Sequence, residues 1–372
     1  MKKKGIVGLL DSDGRWQVDP GNIEGIILEY FGSIFKSNEP ADFEASLSVI
    51  HPKVTPVMNA TLTANFRVEE VWNALQQMHP TKSPGPDDMS PIFYQKYWDV
   101  VGTNVIDCVL HTLNTGVMPP SLNETFICLI PKVKSPQKIT EFHPISLCNV
   151  SYKIISKVFA NRLKKFLVDV INESQSAFVP GRQIMDNVLV AIETMHCING
   201  KRKGKEALMA VKLNMSKAYD RVEWRYLEVI MRKLGFSERW ISLVLMCIST
   251  VSYSVLINGE AKGNIVPSRG LQQGDPISPY LFLLCAEGLS AMLRKEEEHG
   301  NIRGISVCRE APLISHLFFA DDSIVFCREN VDEGRIILKV LEDYEGESGK
   351  KLNKDKTSLF FSKNKRGRFK NK

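Results

Sequence analysis

The stretch that most constrains this chain is His316-Leu317-Phe318-Phe319-Ala320-Asp321-Asp322-Ser323-Ile324-Val325-Phe326. Two short runs rich in Phe, Ile and Val flank a pair of adjacent carboxylates. Each run has the length and composition of a strand, so the pair marks the turn of a β-hairpin. Neighbouring carboxylates repel unless a cation neutralises them. Mg²⁺ suits that role, because it is bound through one or two carboxylates and keeps room for phosphate oxygens. An isolated Asp-Asp pair is more often a solvated turn, since Asp bonds its own backbone there. The rest of the chain decides between these readings.

Upstream, Gly21 to Phe35 has apolar residues at helical spacing and is followed by loop signals, which reads as a leading segment or linker over 1–60. Val68 to Met78 reads as an amphipathic helix ending in the stiff Lys82-Ser83-Pro84-Gly85-Pro86-Asp87-Asp88 turn. Helical patterns follow over Ile92 to Val100 and Asn104 to Asn114, then a strand over Phe126 to Ile130. Tyr152 to Leu167 is a helix carrying Lys153, Lys157, Arg162, Lys164 and Lys165 with no acid among them. Such a run is a solvated face or a track for a phosphate backbone.

From Ala207 the pattern is strand, helix, helix, strand, helix, hairpin, helix, strand. This order predicts an α+β fold, an antiparallel sheet with helices on one face. Asp220 and Glu223 have the spacing of a helix start, which favours a capping role for Asp220. Asn258-Gly259 signals a hairpin. Gly270-Leu271-Gln272-Gln273-Gly274-Asp275-Pro276 is a punctuated loop in which glycine permits close approach of a ligand.

Composition adds limits. Of the net charge of +6, all is accounted for by the last ten residues, so the body is neutral and nucleic-acid binding must rest on local patches. Eight scattered cysteines show no C-x-x-C spacing, which argues against zinc and for reduced thiols of an intracellular protein. No apolar run is long enough to span a bilayer, so no membrane partner is expected.

Further blocks carry a family resemblance. They are Lys-Ser-Pro-Gly-Pro-Asp at 82–87, Leu-Ile-Pro-Lys at 129–132, Pro-Ile-Ser-Leu-Cys-Asn at 144–149 and Gln-Ser-Ala-Phe-Val-Pro-Gly-Arg at 175–182. Met-Ser-Lys-Ala-Tyr-Asp-Arg-Val-Glu-Trp at 215–224, Gln-Gly-Asp-Pro-Ile-Ser-Pro at 273–279 and Phe-Ala-Asp-Asp at 319–322 complete the set. In this order they resemble the reverse transcriptase of plant LINE-type, non-long-terminal-repeat retrotransposons. The resemblance implies a right-hand polymerase: fingers with part of the palm over 61–206, palm over 207–362, and a basic disordered tail over 363–372. A thumb is expected to be missing or truncated, and no endonuclease-like segment or Cys/His knuckle is seen.

The implied reaction adds deoxynucleotides to a DNA primer on an RNA template, with two Mg²⁺ (or Mn²⁺) ions about 3.5–4 Å apart. By similarity, Asp321 is the metal ligand on the hairpin with Asp322 beside it. Tyr219 resembles the aromatic gate against a ribose 2′ hydroxyl. Gln273 and Gly274 resemble the loop under the incoming nucleotide. Lys132 is a triphosphate candidate, and Lys356 resembles the late palm lysine that protonates pyrophosphate. The basic helix would hold the nucleic-acid backbone, and a working copy would act in cytoplasm and nucleus as a ribonucleoprotein.

Four positions depart from the pattern. Asn214 stands where the family carries its first-strand metal-binding Asp. His143 replaces an Arg expected at the triphosphate, Asp88 replaces a Gly, and Gln272 replaces a frequent Arg. Each follows from one G-to-A change, provided the arginine codons began with CG, as expected of a silenced, decaying element copy. The expectations are therefore an impaired polymerase or, alternatively, a catalytically dead RNA-binding remnant or a non-functional fragment.

Overall fold

The computed structural model describes residues 5–364, so the basic tail expected at 363–372 lies almost wholly outside the described residues. The first long helix, α1, is Pro20–Ile34. Then come α2 (Val68–Gln76), α3 (Pro91–Lys96) and α4 (Trp98–Thr115). Strands β1 (Glu124–Pro131) and β2 (Phe142–Cys148) precede α5 (Val150–Lys164) and α6 (Ile184–Gly200). Strand β3 (Leu208–Ser216) leads to α7 (Trp224–Leu234), α8 (Glu238–Ser249) and the hairpin β4 (Ser252–Ile257) and β5 (Glu260–Ile265). The chain continues through α9 (Ser278–Glu298), β6 (His316–Phe319), β7 (Asp322–Arg328) and α10 (Val331–Ser348), with β8 (Lys351–Leu352) and β9 (Ser358–Phe361) last.

Two sheets organise these elements. In the palm sheet the order is β8, β3, β7, β6, all antiparallel, with β9 also pairing β3. Side chains alternate across it, as the two-residue strand period requires. Met209, Val211, Leu213, Val325 and Cys327 enter the main core with α7, α9 and α10. Leu208, Ala210, Ile324 and Phe326 enter a smaller cluster beneath α6. The expected α+β palm is present; its main helical layer lies on one face, and α6 additionally covers part of the other. Beyond the reach of α6, that second face carries Asn214 and is open.

The second sheet has the order β2, β1, β4, β5, and β1 pairs β4 in parallel. A hairpin lying within the stretch expected to be palm thus joins the sheet built by β1 and β2, and the two sheets interleave along the chain. The segment 1–60 is also no linker. Ile23, Ile27, Phe31 and Ile34 of α1 pack on this sheet against Ile127, Phe142, Tyr253 and Val255. Phe43, Ile50 and Val54 enter the main core. Burying each such side chain contributes roughly 1.5–3 kcal/mol, which ties the segment to the fold.

The helix that follows β3 starts only at Trp224. Lys217 adopts a left-handed φ of +52°, which breaks the strand-to-helix path. Leu271 N–H and Gly270 N–H then bond the carbonyls of Tyr219 and Val222 and fix residues 217–223 as a loop. Neither Asp220 nor Glu223 caps the helix through its side chain. The Glu223 carboxylate instead accepts from Arg269 Nη1 (3.1 Å), Ser37 Oγ (2.5 Å) and Asn38 N (3.0 Å). A buried ion pair outcompetes the local cap. The helix ends at Gly235, whose φ of +95° suits a C-terminal glycine.

Candidate active site

The β6–β7 hairpin closes through Ala320 and Asp321, with Phe319 paired to Asp322. Ala320 has φ +59°, a primed-turn geometry that normally selects glycine. Gln175 holds it there, its Oε1 accepting from Ala320 N (3.2 Å) and Ala177 N (2.9 Å). Phe318 N–H bonds the Ser174 carbonyl (2.8 Å). Arg182, from the same sequence block, donates to the carbonyls of Val168, Ile171, Asn172 and Gln175. The block at 175–182 therefore braces the aspartate turn. Sequence does not declare this role, since the glutamine acts on a backbone group far along the chain and the arginine on local carbonyls.

The two aspartates differ in position. Asp321 sits exposed at the turn tip, whereas Asp322 is half-buried as the first residue of β7. Asp322 lies directly opposite Asn214 on β3. The Asn214 amide donates from Nδ2 to Asp322 Oδ1 over 3.5 Å, at the long limit of a hydrogen bond.

Asn214 and Asp321 line a cleft of about 910 Å³ between palm and fingers. Tyr219, Gln273, Lys132, His143 and Lys356 line the same cleft. Tyr219 stacks on Phe282 with ring centroids 4.8 Å apart, and burial raises its phenol far above the ordinary range. Gln273 accepts from Ser146 N through its carbonyl (3.0 Å). Gly274 is behind it at φ +112°, a conformation that requires glycine. Lys132 donates to the Thr140 carbonyl (3.2 Å); desolvation, then Lys356, lowers its pKa. The Lys356 loop is tied to β3 by Asn353 N–H on the Asn214 carbonyl (2.7 Å).

The cleft also contains residues that sequence reasoning passed over. Lys217, Asp220 and Arg221 line it from the loop after β3, and Tyr30 and Ser33 line it from α1. Asp220 is 5% exposed, and burial raises its carboxyl to about 6 against the pull of Lys217, Arg221 and Lys132. The intact Ala-Tyr-Asp-Arg block is the available signal, but its Asp-x-x-Glu spacing looks the same as a helix start.

The basic helix α5 is corrected. Arg162 is 4% exposed and donates to Glu70 through Nε and Nη2 (both 2.8 Å) and to the carbonyls of Leu62, Ala64 and Asn65. Lys153 is buried and donates to the Ser83 carbonyl (3.2 Å). Lys157 is half-buried, and only Lys164 and Lys165 are exposed. Lys153, Lys157 and Lys164 share one stripe of the helix, but α5 is buried nearly all round and only its C-terminal end reaches solvent.

The four departures also separate in space. His143 lies in the cleft, where desolvation, then Lys132 and Lys217, lowers its pKa and keeps it neutral at pH 7. Asp88 takes a left-handed φ of +54°, the strain expected of a glycine position. Next to it, Gly85 leaves no room for a Cβ, which would stand 2.4 Å from Asn149 N. Gln272 is buried behind the cleft; its Nε2 donates to Asn123 Oδ1 (3.1 Å) and Thr125 Oγ1 (3.2 Å). That substitution is accommodated.

Residues 130–369 match the model of the reverse transcriptase (RNA-dependent DNA polymerase) family, and the chain belongs to that family. It is 29% identical over 363 residues to the transposon TX1 uncharacterized 149 kDa protein of Xenopus laevis, covering 96% of this chain and 27% of that one. It is 25% identical over 313 residues to the retrovirus-related Pol polyprotein from the type-2 retrotransposable element R2DM of Drosophila melanogaster, covering 82% of this chain and 28% of the relative. A 68-residue stretch is 54% identical to the uncharacterized mitochondrial protein AtMg01250 of Arabidopsis thaliana, covering 18% of this chain and 56% of that protein. The chain thus spans little more than a quarter of the length of the TX1 and R2DM proteins.

Proposed function

We propose that the chain forms the fingers and palm of a plant LINE-type, non-long-terminal-repeat retrotransposon polymerase, impaired at its first-strand metal ligand. The observation that carries this reading is the meeting of Asn214 and Asp321 in one cleft with Lys132, Tyr219, Gln273 and Lys356. They come from sequence blocks far apart, and nothing but the fold brings them together.

The donor set fits a divalent cation. Asp321 and Asp322 provide hard carboxylate oxygens, and Asn214 provides an amide oxygen without charge. Among the described residues no cluster of three or more His, Cys, Asp or Glu is present. Ions bound there supply charge stabilisation to the attacking and leaving oxygens. The chain's own residues do the remainder. Lys132, just after β1, faces the triphosphate. Tyr219, fixed by its stack on Phe282, fills the space beside the sugar. Gln273 presents its side chain to the incoming nucleotide while its carbonyl is held by β2. Lys356, held by Asn353, stands ready to give a proton to pyrophosphate. Lys164 and Lys165 remain as exposed contacts for an RNA template and DNA primer.

The test is primer extension with deoxynucleotides and Mg²⁺ or Mn²⁺, comparing the chain as given with Asn214→Asp. Near-background extension and a large gain on substitution are expected; vigorous extension without the substitution overturns the impairment. The reading as a nucleic-acid-binding remnant loses ground, since Lys153 and Arg162 are spent within the protein.

A further inference from the structure

Adjacent carboxylates need a compensating charge, and the fold has one in place. Lys350 follows Gly349, where α10 ends at φ +73°. A Cβ on Gly349 would stand 2.6 Å from the Arg221 carbonyl, so the chain is pressed against the loop after β3. It then drives the Lys350 side chain under the palm sheet. Lys350 is 1% exposed, among the largest fully buried side chains of the protein. Its Nζ stands 3.7 Å from the centroid of the Phe282 ring and 5.5 Å from that of Tyr344. Together with Met215, Phe318, Ala320, Asp321 and Ser323, it encloses a small void of about 10 Å³, too small for a bound molecule. The hairpin turn forms the roof of this void.

Burying an ammonium costs several kcal/mol unless charge or π-electrons compensate it. Burial lowers its pKa to about 8, while the Cys285 thiol and the Asp321 carboxylate pull the other way. Among the described residues no carboxylate lies within ion-pair distance of Lys350, so Phe282 and Tyr344 hold the ammonium, and Asp321, on the same void, is the carboxylate whose charge acts on it. The same Phe282 ring carries Tyr219.

We propose that Lys350 is a built-in counter-ion of the aspartate turn, a positioning residue that neutralises Asp321 from beneath the sheet and thereby weakens the turn's hold on divalent cations. With Asp321 compensated from below, Asp322 is left as the one uncompensated carboxylate of the turn for an incoming ion. With Asn214 bringing none, the site is poorer in charge than its two aspartates suggest. The inference rests on the metal-binding reading given above.

The experiment is Mn²⁺ titration followed by electron paramagnetic resonance, on four proteins: the chain as given, Lys350→Met, Asn214→Asp and the double variant. Methionine keeps the length of the stem and packs well on aromatic rings. Lys350→Gln gives a second uncharged variant should Met not be accommodated. Removal of the ammonium is expected to tighten Mn²⁺ binding by about tenfold in both backgrounds. A residue that merely packs would, on removal, loosen the turn and weaken binding. An unchanged or weaker constant in folded Lys350→Met overturns the proposal, while binding by Asn214→Asp keeps the metal reading. Absence of Mn²⁺ binding in all four overturns both.

Discussion

Asn214 and Asp322 stand directly opposite each other on neighbouring strands, and their side chains meet through an amide-to-carboxylate hydrogen bond of 3.5 Å. The contact lets an amide and a carboxylate lie together where two carboxylates would repel each other. Asparagine thereby removes the repulsion that a metal ion normally relieves. Asn214→Asp is expected to lower stability without metal by about 1–3 kcal/mol. Added Mg²⁺ should recover that loss as an increase in Tm, through mass action on the native state. Primer extension should rise about a thousandfold, corresponding to about 4 kcal/mol of transition-state stabilisation. A Tm that ignores Mg²⁺ in the variant sinks the metal assignment independently of any activity.

Arg162 is a structural residue rather than a backbone clamp for nucleic acid. Its guanidinium satisfies Glu70 and three carbonyls and lies 3.6 Å from the centroid of the Phe66 ring. Arg162→Met should cost about 2–4 kcal/mol in urea unfolding, because the carbonyls and the half-buried Glu70 lose their partner. By contrast, Lys164→Ala with Lys165→Ala should leave unfolding nearly unchanged and reduce the salt dependence of primer–template binding.

Asp88 is held at φ +54° in the turn that docks beside Gly85. Relieving a left-handed non-glycine residue gains more than the added freedom of the unfolded chain removes. Asp88→Gly should stabilise by about 1 kcal/mol, read as a higher urea midpoint with unchanged slope. A lower midpoint shows that the aspartate makes a compensating local contact.

Asp275 sets a pH dependence of the opposite sign to that of a salt-bridged acid. Burial raises its carboxyl from 3.8 to about 6, although Ser278 Oγ donates to it (3.0 Å) and one oxygen has no partner. Between those values the native state binds more protons than the unfolded chain, so its contribution to stability declines as pH rises. Asp275→Asn removes this decline. Its stability relative to the unsubstituted protein should grow from pH 4 to 7 by an amount on the order of 2 kcal/mol. Urea unfolding at several pH values measures it, and a difference independent of pH contradicts the assignment.

Much of the site was legible because its blocks are local. The Asp321-Asp322 hairpin, the Asn258-Gly259 turn and the strand carrying Asn214 each declare themselves through short runs with a two-residue period or a turn dipeptide. The departures at 88 and 143 were legible too, and the structure places strain at one and a neutral imidazole in the cleft at the other. Other features were hidden. A row of cations on α5 looks alike whether it faces water or a ring of carbonyls, and Arg162 is decided by residues 62–70 folding over it. Asp220 looked like a cap because spacing ignores the competing pull of Arg269 on Glu223.

What the chain alone determined is its chemistry at short range: which residues form strands and turns, and that two adjacent carboxylates stand at a hairpin turn. The tertiary structure decided which charges remain free. It buried Arg162 and Lys153, brought Lys217 and Asp220 into the cleft, joined residues 1–60 to the core and placed Lys350 beneath the aspartate turn. The reason is that desolvation and ion pairing depend on neighbours distant in sequence, whereas hydrophobic period and turn geometry depend on residues only a few positions apart.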